Sequence, residues 1–83
     1  MMNETAITGI VKTQLPPNFQ VELIPNADHY DIEIFTPNRV LGIRLMVVEN
    51  VLNRPTSLRV IGRMASHAFA NGTWAMIDGQ HCN

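Results

Sequence analysis

Apolar residues at Ala6, Ile7, Ile10, Val11 and Leu15 recur at helical spacing, while Glu4, Thr5, Thr8, Gly9, Lys12 and Thr13 fill the complementary positions. Asn3 offers an N-cap oxygen in front of this segment. Pro16-Pro17 ends it, since neither residue donates an amide proton and Pro16 disfavours helical geometry at Leu15. The period then changes to two. Phe19, Val21 and Leu23 alternate with Gln20 and Glu22, and Tyr30, Ile32 and Ile34 alternate with Asp31 and Glu33, which predicts two strands, each with one buried face. Pro25-Asn26-Ala27-Asp28-His29 between them is turn chemistry, so an antiparallel hairpin is the economical connection.

Thr36-Pro37 places a hydroxyl cap before a proline with a preset helical φ, and predicts a helix beyond it. Arg39, Gly42, Met46, Glu49, Asn50 and Asn53 form its outer stripe. Val40, Leu41, Ile43, Leu45, Val47, Val48, Val51 and Leu52 cover nearly everything else, which implies burial on several sides. Asn53-Arg54-Pro55-Thr56 interrupts the pattern. From Ser57 the helical period returns, with Leu58, Val60, Ile61, Met64, Ala65, Ala68 and Phe69 set against Arg59, Gly62, Arg63, Ser66 and His67. A strand over 58–69 would turn Gly62 and Ser66 inward and Ile61 and Phe69 outward, so the helix is preferred. Asn71-Gly72 suits a helix end as well as a hairpin, 73–77 reads as a short closing strand, and 79–83 as a polar tail. The order helix-strand-strand-helix-helix-strand predicts a single α+β domain over residues 1–83, its ordered core spanning 4–78. In it a small antiparallel sheet packs against helices.

Composition changes this picture little. An apolar fraction of 46% supports a folded core, although 83 residues bury only a modest share of their surface. A formal charge of −1 gives no general attraction for a phosphate backbone, so nucleic acid is not the expected partner. Cys82 is the only cysteine; with no disulfide staple to form, a reducing cytoplasm is the expected compartment. The N-terminus lacks the basic-then-apolar order of a signal peptide, and no apolar run is long enough for a membrane-spanning helix.

The chemistry-bearing residues do not assemble into a recognisable catalytic motif. His29, His67 and His81 lack metal-ligand spacing, and Asp28, His29 and Asp31 suit a solvated turn better than a cation clasp. His81-Cys82 resembles a nucleophile pair only on paper, since a residue this near the end of the sequence is not expected to be held in catalytic geometry, and the five glycines are dispersed singly, with no phosphate loop. Glu22, Asp31 and Glu33 alternate on the strands' polar side, away from any cleft. No catalytic residue, cofactor or metal ligand is therefore expected. The most specific polar feature is a ridge of Arg59, Arg63 and His67 at i, i+4 and i+8, with Arg54 in the turn before it. Arginine forms rigid bidentate contacts with carboxylates and is enriched at interfaces. Trp74, the only tryptophan, is a core strand residue or an interface anchor.

Several strings together resemble the small effector, or coupling, proteins of bacterial multicomponent diiron monooxygenases. Leu52-Asn53-Arg54-Pro55-Thr56-Ser57-Leu58 is similar to the Arg/Lys-Pro turn that joins two helices in that family, with Asn53 where the family has glycine. Tyr30-Asp31-Ile32-Glu33-Ile34 is similar to its aromatic-led strand, Ala6 to Pro17 to its early helix and proline turn, and Ala68-Phe69-Ala70-Asn71-Gly72-Thr73 to the approach to its late strand. The resemblance implies a regulatory protein without cofactor that docks on a hydroxylase, the redox centres belonging to other subunits. The alternative is a small phage or mobile-element inhibitor that blocks a larger host complex. Both expectations are of a cytoplasmic, non-catalytic module whose partner is a larger protein, bound through Arg54, Arg59, Arg63, His67 and Trp74. An unrecognised minimal enzyme would need one of the histidines or Cys82 to be indispensable.

Overall fold

The structure, a computed structural model, describes residues 2–72 and the backbone of 75–76. Its elements run α1 (Glu4–Lys12), β1 (Gln20–Pro25), β2 (Tyr30–Phe35), β3 (Leu41–Val47), α2 (Glu49–Leu52), α3 (Pro55–Ala70) and β4 (Ala75–Met76). The strands form one antiparallel sheet in the order β1-β2-β3-β4. The protein is a small α+β domain, as its mixed periods predict.

Local chemistry explains most of these elements. Asn3 Oδ1 accepts from the Ala6 amide at 2.8 Å and caps α1. The β1–β2 hairpin closes where the Asn26 amide donates to the His29 carbonyl at 2.9 Å, with Val21 opposite Ile34 and Leu23 opposite Ile32. Pro55 opens α3, and the helix ends at Asn71-Gly72, where Gly72 takes a φ of 76° and its amide donates to the Phe69 carbonyl.

The helix expected beyond Thr36-Pro37 is not formed. Residues 36–40 are instead the turn of a second hairpin, and Leu41–Val47 is strand β3, followed by the single helical turn of α2. The Thr36 amide donates to the Leu41 carbonyl at 3.0 Å and the Arg39 amide to the Thr36 carbonyl at 2.8 Å, while the Thr36 hydroxyl accepts from the Leu41 amide. The signals that start a helix here serve a β-turn, and Arg39 adopts a left-handed φ of 59° within it. Strand alternation then sorts the apolar run. Ile43, Leu45 and Val47 pack toward the core, paired with Ile34, Ile32 and Tyr30, whereas Gly42, Arg44 and Met46 take the opposite face. The closing strand is described only at Ala75 and Met76, which pair with Gly42 and Leu41; Thr73, Trp74, Ile77 and the polar tail lie outside the described residues.

Ile7 and Val11 of α1, Val21 and Leu23 of β1, Ile32 and Ile34 of β2, Leu52 of α2 and Leu58 and Ala65 of α3 form one buried cluster. The helices therefore lie on one face of the sheet. Gly62 sits at the α1–α3 contact, where an added Cβ would stand 2.5 Å from the Val11 carbonyl oxygen, so the helices approach more closely there than any side chain allows. At one edge of this layer Phe19 meets Phe69 edge to face, with ring centroids 5.1 Å apart.

Candidate docking surface

The burial stripe of α3 sets what the helix presents to solvent. Leu58, Gly62 and Ala65 are buried, and Ile61 and Phe69 pack against the core. A helix turns 100° per residue, so the opposite side must carry Arg59, Val60, Arg63, Met64 and His67, and all five are exposed. They form two adjoining rows that slant across the helix as i, i+4 ridges do. Arg59, Arg63 and His67 make the basic row, and Val60 and Met64, exposed to 42% and 60%, make the apolar one. Arg54, also exposed, occupies the N-cap position at the head of the helix in extended geometry, φ −117° and ψ 103°.

Of the five residues singled out from the sequence, Arg59, Arg63 and His67 share one exposed face, Arg54 is exposed at the head of the helix, and Trp74 lies outside the described residues. Val60 and Met64, by contrast, were expected on the buried side. The signal that relocates them is Gly62: counted as an inward position, it centres the buried stripe on Leu58, Gly62, Ala65 and Phe69, and places Val60 and Met64 outward.

The arginines divide by location. On the sheet face away from the helices, Arg44 Nε donates to Glu33 Oε2 at 2.6 Å, and that carboxylate is only 12% exposed. Arg39 lies 3.2 Å from Glu22, bonds Gln20, and holds its guanidinium carbon 4.2 Å from the centre of the Phe35 ring. These two cations are consumed within the fold. The side chains of Arg54, Arg59 and Arg63 have no acidic partner or hydrogen bond among the described residues. No Asp or Glu occurs from 54 to 77, so α3 carries unbalanced positive charge on a chain whose net charge is −1.

The tip of the β1–β2 hairpin holds the other polar cluster. His29 Nδ1 lies 2.7 Å from Asp28 Oδ1 and its Nε2 3.7 Å from Asp31 Oδ1, while Asn26 Nδ2 donates to Asp31 Oδ2 at 3.0 Å. The hydrogen bond to His29, reinforced by the attraction of its charge, holds the Asp28 carboxyl below the ordinary aspartate range. The two ring nitrogens thus face carboxylates from the turn, Asp28, and from the start of β2, Asp31. Among the described residues no group of three His, Cys, Asp or Glu side chains is placed to hold a metal ion, and no helix is long and apolar enough to cross a membrane.

No protein-family model, no curated protein and no solved structure matches this chain.

Proposed function

We propose that this domain is a non-catalytic regulatory module that docks on a larger protein through the outward face of α3, with the Arg54-Pro55 turn at its edge. The observation that carries it is the contrast among the arginines: those of the sheet are paired with carboxylates, whereas those of α3 stand beside two exposed apolar side chains without an acid partner among the described residues. The face combines two elements enriched at interfaces, apolar side chains that exclude water and arginines that fix orientation. The effector role in a multicomponent diiron monooxygenase is the specific form that the sequence resemblance favours. In that role the chain contributes contacts and no redox group, and works in the cytoplasm.

The test is co-purification from the native host with Arg59→Glu and Arg63→Glu combined. Both positions are exposed, so the far-UV spectrum and melting temperature should stay near wild type while the partner is lost. Retention of the partner at wild-type yield by the folded variant sinks the proposal. In the monooxygenase form, the co-purifying chains include a carboxylate-bridged iron protein; a partner set without one removes that form.

A further inference from the structure

We propose that the occupant of this face is an acidic amphipathic helix of the partner, laid along α3; the inference rests on the docking role above and names its chemistry. Three observations carry it. First, the basic and apolar rows are adjoining i, i+4 ridges, with Arg59 and Arg63, and likewise Val60 and Met64, about one helical turn apart. A second helix packed ridge into groove against this face repeats at that same interval, so its i, i+4 carboxylates fall opposite Arg59 and Arg63, while its apolar ridge seats Val60 and Met64 in the adjoining groove. Second, α3 has 16 residues and is roughly 24 Å long, enough to align several turns of a partner helix. Third, the segment has no acid of its own from Arg54 to Gly72, so every carboxylate that neutralises the row must come from elsewhere.

The same features weigh against other occupants. A phosphate backbone matches the arginines but leaves Val60 and Met64 against a polar chain. A lipid surface needs a broad apolar face, and the broad apolar face of α3, with Leu58, Ile61, Ala65 and Phe69, is already committed to the core. A second copy of this chain offers no helical row of carboxylates: α1 carries only Glu4, α2 only Glu49 and α3 none, while the sheet's Glu22 and Glu33 are engaged by Arg39 and Arg44.

The experiment titrates the whole protein with a synthetic helix-forming peptide about as long as α3, bearing leucine along one face and glutamate on both flanks. A matched peptide carries lysine for glutamate. The glutamate peptide is expected to bind at least about tenfold more tightly than the lysine peptide. Arg59→Gln with Arg63→Gln should remove that preference. Val60→Thr with Met64→Gln, which keeps the charge, should weaken the glutamate peptide by about tenfold as well, because apolar contact at the centre supplies much of an interface's affinity. Equal binding of the two peptides overturns the inference, as does a glutamate-peptide affinity indifferent to Val60 and Met64. Tighter binding to vesicles of phosphatidylserine and phosphatidylcholine or to a DNA duplex, or self-association that outcompetes the peptide, overturns it too. If the charge-reversed variant loses its native partner yet the peptides bind equally, docking through α3 stands and the acidic helix falls; if the partner is retained, docking itself falls.

Discussion

At the scale of single residues, Gly62 shows how much one missing methyl group controls. Alanine is the better helix former by about 1 kcal/mol, yet its Cβ would lie 2.5 Å from a backbone oxygen of α1 that cannot rotate away. Separating the helices to admit it costs about 1–3 kcal/mol. Gly62→Ala should therefore destabilise the domain in urea unfolding despite its helix propensity; an unchanged or raised midpoint would show that α1 and α3 are not in this contact. Asn3→Ala removes the 2.8 Å cap on the Ala6 amide and should lower stability by about 1 kcal/mol in the same assay. Asp28 offers a residue-level check by pH. Its carboxyl is held below the ordinary range by His29, so what this contact adds to stability is fully present above the unfolded-chain pKa and is lost as pH falls through the lower folded one. An NMR titration should place the Asp28 midpoint below that of Asp in a denatured peptide, and His29→Gln should raise it; an Asp28 midpoint at the peptide value contradicts the hairpin-tip geometry.

At the scale of elements, β3 is the instructive case. The run from Val40 to Val48 contains Val, Ile and Leu at nearly every position that either a buried helix or a buried strand needs, and Thr36-Pro37 opens a helix and a β-turn equally well. What decides between them is long-range: Ile43 and Leu45 find Ile34 and Ile32 across β2, a pairing that no local window displays. The alternation of Gly42, Arg44 and Met46 against Ile43, Leu45 and Val47 was present in the sequence and signals a strand once the turn is recognised. α1, the first hairpin and α3 were legible because one period dominates each. The basic row was legible for the same reason, whereas Val60 and Met64 were not, because Gly62 has no side chain to declare that it faces inward. The register of β3 can be tested through Glu33 and Arg44, which lie directly opposite. Arg44→Glu puts a like charge beside Glu33 and should cost about 0.2–1 kcal/mol, largely restored by adding Glu33→Arg. Additive losses in that double-mutant cycle would mean that the two residues are not cross-strand partners.

At the scale of the whole molecule, the two faces differ in how their charges are resolved. The sheet face away from the helices neutralises its own arginines with Glu22 and Glu33, while the outward side of α3 leaves Arg59 and Arg63 without an acid among the described residues. Both faces also carry an exposed methionine, Met46 on the sheet at 72% and Met64 on α3 at 60%, so exposure alone does not separate them. The most direct measurement therefore places a photocrosslinking amino acid at position 64 in one variant and at position 46 in another, both expressed in the native host and irradiated in living cells. A strong adduct from position 64, abolished by Arg59→Glu with Arg63→Glu, together with little or none from position 46, is the predicted result. An adduct from position 46 with none from position 64, or equal adducts unaffected by the charge reversal, would contradict docking through α3.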